Sequence, residues 1–185
     1  KTLAGYTLVA VDLPGHGDSF RSTDPKNDYS LKGMAAHVKK FIAGFTNQEY
    51  ILVANSLGSN LAGEIAHELV NCKGILITGS SAIGKNLTVP NIIQPNPNVG
   101  ALFMAHATDE QIDLLIGDVA THLTDTDRSQ IKESFKKTDP EFRVAMAEAI
   151  MGGLYSDELQ NFETSKIPVA VVFGKEEKLC FTDYL

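Results

Sequence analysis

From Tyr50 to Ser59 the chain reads Tyr-Ile-Leu-Val-Ala-Asn-Ser-Leu-Gly-Ser, and this run constrains the fold more than any other. Ile51 to Ala54 is an unbroken apolar run of the kind found in a strand buried on both faces. An amphipathic helical pattern follows at once, with Leu61, Ala62, Ile65, Ala66, Leu69 and Val70 on one face. A strand that passes into a helix with no intervening loop holds the residue at the break, here Ser56, in a strained turn. The hydroxyl then points out of the sheet and meets few neighbours. Such a turn needs small residues on both sides, and Ala54 and Gly58 stand two places before and after the serine.

Three more apolar runs read as strands. Thr7 to Val11 is closed by Asp12-Leu-Pro-Gly-His-Gly-Asp-Ser19, a turn in which Gly15 and Gly17 are free to take positive φ. Gly74 to Thr78 is ended by Gly79, and Ile167 to Phe173 by Gly174. Between the first two strands Ser30 caps a predicted helix over Leu31 to Phe45. Its apolar face carries Leu31, Met34, Ala35, Val38, Phe41, Ile42 and Phe45. Alternating strands and helices imply an α/β fold, a mostly parallel sheet with helices on both faces.

Residues 80–167 form too long a connection to be structureless. Helical periodicity is clear over Asp109 to Val119 and weaker over Asp127 to Lys137. Asp139-Pro140 supplies an N-cap and an N1 proline for a third helix that Gly152-Gly153 stops. The expected organisation is a core over residues 1–79, a helical cap insertion over 80–167 and a second, incomplete core part over 168–185.

Composition narrows the function. A formal net charge of −7, with no cluster of basic residues, argues against nucleic acid or an anionic membrane as partner. No apolar run reaches the length of a membrane span. The two cysteines, Cys72 and Cys180, make no disulfide framework. No histidine has metal-ligand spacing with another histidine or cysteine, so neither a metal nor an organic cofactor is implied. His16 sits in a glycine turn and is read as a loop histidine. His37 and His67 lie on helices, and His106 and His122 fall in the insertion. A cytoplasmic location is expected, and the Asn86-Leu-Thr88 sequon matters only in a secreted protein.

Three segments together resemble the α/β-hydrolase family, in its capped, esterase-like form. They are Asp12-Leu-Pro-Gly-His-Gly-Asp-Ser19, Ala54-Asn-Ser-Leu-Gly58, and Pro168 to Gly174 followed by Lys175-Glu-Glu-Lys178. The second is similar to the nucleophile turn G-x-S-x-G, with alanine at its first position. The resemblance implies Ser56 as nucleophile, the backbone N–H of Leu57 as half of an oxyanion hole, and Glu177 as the acid that orients a histidine. It implies a small-molecule acyl substrate with an ester, thioester, amide or related carbonyl bond. A serine at this turn disfavours the family's dehalogenases and epoxide hydrolases, which use aspartate there.

In this family the histidine follows the acid, and no histidine follows Glu177 in the sequence. The second oxyanion donor and one central strand would also come from segments not represented. The 185 residues are therefore expected to be a fragment of a longer protein. A non-catalytic binding or interaction module on the same fold is the alternative reading. Ala54, Glu177 and the absent histidine lean towards it.

Overall fold

The computed structural model describes residues 4–120 and 122–184. After a loop, a short helix α1 (Pro25–Asp28) leads into α2 (Leu31–Phe45). Ser30 caps α2 as its residue type predicts, its hydroxyl oxygen accepting from the N–H of Gly33 at 3.0 Å. Strand β1 (Tyr50–Asn55) then breaks into α3 (Leu57–Ile65), which tightens into a 3-10 turn at Ala66–Glu68 before β2 (Cys72–Thr78). The tightening rotates the last residues off the buried face. Val70, expected on the apolar side, is 75% exposed instead.

Between β2 and the last strand lie α4 (Val89–Ile92), a 3-10 helix at Pro97–Phe103, α5 (Asp109–Val119), α6 (Asp125–Lys137), α7 (Pro140–Met151) and α8 (Glu158–Ser165). Thr108 and Thr124 form capping boxes with Gln111 and Asp127, and Asp139 accepts from the N–H of Glu141. The chain then returns to β3 (Val169–Val172). Both strand pairings within the sheet are parallel and its order is β1-β2-β3, so β2 is central, paired with β1 from Ile51 opposite Gly74 to Asn55 opposite Thr78.

Helix α3 organises the core. One side of it puts Ala62 and Ala66 against Ala54, Cys72, Ile75 and Ile77 of the sheet. The other side sends Leu61 and Ile65 into a second cluster with Tyr29, Leu31, Met34, Ala35, Phe142 and Met146. That second cluster joins α2 and α7 to the sheet layer through apolar burial, each such side chain contributing about 1.5–3 kcal/mol. Polar contacts pin the same junction. The hydroxyl of Tyr29 donates to Asp139 Oδ2 at 2.6 Å and accepts from the N–H of Ser22 at 2.8 Å. The N–H of Asp139 donates to the carbonyl of Gly15. Gly15 has φ +79°, and a Cβ there would press on the Tyr29 ring at 3.1 Å, so glycine is required twice over.

One expectation is corrected. Thr7 to Val11 forms no ladder with any described strand, and all five residues are exposed. A strand exists through the ladder it shares with a neighbour, and local β-propensity does not supply that neighbour. The outer half of the α2 face is affected in the same way. Phe41 and Phe45 are exposed and stack on each other at 5.4 Å. With Val38 and the segment from Val9 to Pro14 they line an apolar groove of about 790 Å³. On β1, Ile51 and Val53 are 58% and 66% exposed, whereas Ala54, on the face that meets α3, is buried. No helix among the described residues is long and apolar enough to cross a membrane.

Candidate active site

Ser56 stands where β1 becomes α3, with φ 49° and ψ −118°. Positive φ is costly for a residue bearing a Cβ, on the order of 1–3 kcal/mol, and persists only where surrounding contacts enforce it. Here they do. The N–H of Ser56 extends the sheet ladder to the carbonyl of Thr78 at 3.0 Å. Its own carbonyl accepts from both the N–H of Ser59 at 2.7 Å and the hydroxyl of Ser59 at 2.6 Å. The backbone is thus held on both sides while the side chain is exposed and caps no helix N–H. The small flanks are real but not tight: a Cβ on Gly58 would meet that of Ala54 at 3.6 Å, an ordinary contact.

Leu57 is the first residue of α3, so its N–H has no partner within the helix. The first-turn N–H groups of α3 give this end of the helix a partial positive charge beside the Ser56 hydroxyl. Before the serine, Asn55 Oδ1 accepts from the Thr78 hydroxyl at 2.9 Å.

Glu177 lies in the turn after β3. Its Oε1 accepts from the N–H groups of Leu179 at 2.7 Å and Cys180 at 3.1 Å, and its own N–H donates to the carbonyl of Gly174. The turn is fixed from the other side. Gln94 N–H donates to the Leu179 carbonyl, Gln94 Nε2 to the Cys180 carbonyl, and Phe181 N–H to the Ile92 carbonyl. The chain leaving α4 therefore grips the carboxylate turn. One carboxylate oxygen is committed to backbone, while Oε2 takes part in none of the hydrogen bonds among the described residues.

Because the strands are parallel, Ser56 after β1 and Glu177 after β3 emerge at the same carboxyl edge of the sheet, with β2 between them. Two strand spacings amount to roughly 10 Å, enough for an imidazole. Among the described residues no histidine hydrogen-bonds to Ser56 or Glu177. His16 is held against the α7 side, its Nδ1–H donating to the carbonyl of Pro14 at 3.0 Å and its ring edge-on to Phe142 at 4.4 Å. Burial lowers its pKa, as does the nearby Arg143 charge, against the raising effect of the Pro14 hydrogen bond. His37 pairs with Asp28 at 2.9 Å, and His67, His106 and His122 are exposed. Cys180, next to the Glu177 turn, is buried, and its thiol is pushed up to about 11 by that burial.

Sequence reasoning missed a buried polar network behind Ser56. Ser59 and Glu158 are fully buried, and Asn60 and Glu64 nearly so. Asn60 and Glu64 are one helical turn apart in a helix whose other residues, Ser59 aside, are apolar or glycine, a pattern that could have flagged them. Glu158 gave no such signal, since a glutamate starting a polar helix reads as solvent-facing. Burial, reinforced by the neighbouring charge of Glu64, raises its carboxyl to about 9. No group of three potential metal ligands occurs among the described residues.

Comparison with known proteins places this geometry in context. The family profile described as alpha/beta hydrolase fold matches residues 1–163. Over 61 residues the chain is 38% identical to monoacylglycerol lipase abhd6-A of Xenopus laevis, a match that spans 32% of this chain and 18% of the lipase. Among solved structures it is similar to the N-acyl homoserine lactonase AidH in complex with N-butanoyl homoserine. There the TM-score is 0.83 at 20% identity, covering 93% of this chain and 61% of that one. An esterase from Exiguobacterium antarcticum gives a TM-score of 0.61 at 13% identity, covering 94% and 65%. The chain thus spans about three fifths of the length of these solved relatives.

Proposed function

The chain belongs to the alpha/beta hydrolase fold family, and on that premise we propose that it is the nucleophile-bearing part of a serine hydrolase. The substrate is a small molecule with an ester, thioester, amide or related carbonyl bond. The observation that carries this reading is Ser56: a strained, positive-φ serine at a strand-to-helix junction, its hydroxyl exposed and committed to no cap.

In this mechanism the Ser56 Oγ forms a bond to the carbonyl carbon while its proton passes to an imidazole supplied by the rest of the full-length protein. The Leu57 N–H donates to the oxygen that becomes negative. Glu177 Oε2, left open by the backbone bonds to Oε1, accepts from that imidazole and stabilises its cation. The proton then goes to the leaving group, the carbonyl–heteroatom bond breaks, and water releases the acyl group from Ser56. Helices α5 and α6, which lie outside both core clusters, act as a cap over the carbonyl. The lipase, lactonase and esterase among the similar proteins support a carbonyl substrate.

A fluorophosphonate probe on the full-length protein tests the reading. Labelling at Ser56, abolished by Ser56→Ala, is expected. An unlabelled wild-type protein, or equal labelling of the alanine variant, refutes it, and an unlabelled wild type favours a binding module on the same fold.

A further inference from the structure

Behind the exposed Ser56 hydroxyl runs a chain of polar side chains, buried at Ser59, Asn60 and Glu158 and half-buried at Ser81, that acyl transfer itself does not call on. It starts at the carbonyl of Ser56, which accepts from the Ser59 hydroxyl at 2.6 Å. The oxygen of that hydroxyl accepts in turn from the N–H of Ser81 at 3.0 Å. Ser81 is locked to Asn60 twice: its hydroxyl donates to Asn60 Oδ1 at 2.6 Å, and Asn60 Nδ2 donates to its carbonyl at 2.7 Å. Asn60 Nδ2 also reaches Glu158 Oε2 at 3.0 Å, and the same oxygen accepts from the N–H of Ile83 at 2.7 Å. The chain thus crosses from the nucleophile turn through the segment after β2 to the first residue of α8. Polar groups this deeply buried are costly unless all are joined, and a partly joined set is worse than an apolar core. Alanine at this position would remove a single buried oxygen and leave the rest of the side chain in place, so what Ser59 adds is the two hydrogen bonds of its hydroxyl.

We propose that Ser59 is a positioning residue for Ser56, fixing the nucleophile at its strained backbone angles through a buried hydrogen-bond chain that Glu158 closes. The proposal rests on Ser56 being the nucleophile. A strained turn relaxes when one of its enforcing contacts is removed, and a small displacement of an attacking atom is enough to slow reaction strongly. Ser59 supplies the contact to the one carbonyl that must not rotate. Burial supports the part played by Glu158, whose carboxyl keeps its proton to about pH 9. The groups that bear on it are Glu64 on α3, Asp157 at the cap of α8 and, across the cluster, Tyr184. Both carboxylates oppose its ionisation. When Glu158 does ionise, an unpaired charge enters the chain and loosens it.

The test measures the fluorophosphonate labelling rate of Ser56 in the full-length protein, with near-UV circular dichroism reporting the fold. Ser59→Ala is expected to slow labelling about tenfold or more while the protein stays folded. Ser59→Thr, which keeps the hydroxyl, is expected to recover most of the rate. In wild type the rate is expected to fall as pH rises past about 9, and in Glu158→Gln to hold level there. A folded Ser59→Ala protein that labels at the wild-type rate overturns the proposal. If Ser59→Ala does not fold, the alkaline limb decides: one that is the same in wild type and Glu158→Gln overturns it equally. A wild type that never labels, or labelling that survives Ser56→Ala, refutes the nucleophile itself and this proposal with it.

Discussion

Replacing Glu158 by glutamine should change the pH dependence of folding, and the size of the change follows from its burial. In the unfolded chain this carboxyl ionises near its ordinary 4.5; in the folded protein it holds its proton to about 9. Between those values the folded state binds one proton more than the unfolded state. Stability is therefore fully present below 4.5 and declines as pH rises through the window, at about 1.4 kcal/mol per pH unit from this group. From pH 5 to pH 8 the decline amounts to about 4 kcal/mol. Glutamine cannot ionise, yet its carbonyl still accepts from the Ile83 and Asn60 donors that now meet Glu158 Oε2. All other titrating groups are common to both proteins, so the difference between them isolates residue 158. Urea unfolding of wild type and Glu158→Gln at each pH measures that difference. The variant should be within about 1 kcal/mol of wild type at pH 5 and gain steadily to roughly 4 kcal/mol by pH 8. A difference that stays constant across this range would show that Glu158 ionises normally, and the buried network would have to be abandoned.

Two glycines of α3 should respond oppositely to alanine. Gly58→Ala has room, its Cβ meeting Ala54 at 3.6 Å, and should leave stability unchanged or raise it by up to about 1 kcal/mol. Gly63→Ala puts a Cβ 2.5 Å from that of Glu158 and should cost about 1–3 kcal/mol in urea unfolding; similar outcomes for the two would refute the close packing of α8 on α3. Tyr29→Phe keeps the buried ring but strands Asp139 Oδ2 and the N–H of Ser22, so a loss of about 1–3 kcal/mol is expected. A loss below about 0.3 kcal/mol would show that water replaces the hydroxyl at no cost.

Much of the fold was legible because its signals are local. Ser30 and Asp139 announce helix starts through hydrogen bonds to residues two or three places on, and the structure makes those bonds. The break at Ser56 is equally local, since an apolar strand running straight into a helical pattern leaves the intervening residue little choice of backbone. Glu177 is a candidate only through resemblance, and what the sequence did not disclose is how the chain leaving α4 clamps its turn from some 85 residues away.

The sequence by itself determined the order of β1, β2 and β3 with α2, α3, α5, α6 and α7, the caps at Ser30 and Asp139 and the break at Ser56, because propensity and capping act within a few residues. The tertiary structure alone decided that Glu158 is buried, that His16 rests against Phe142, and that Thr7 to Val11, for all its β-branched character, has no ladder partner among the described residues. Ladder pairing and desolvation depend on neighbours distant in the chain, and no local pattern specifies them.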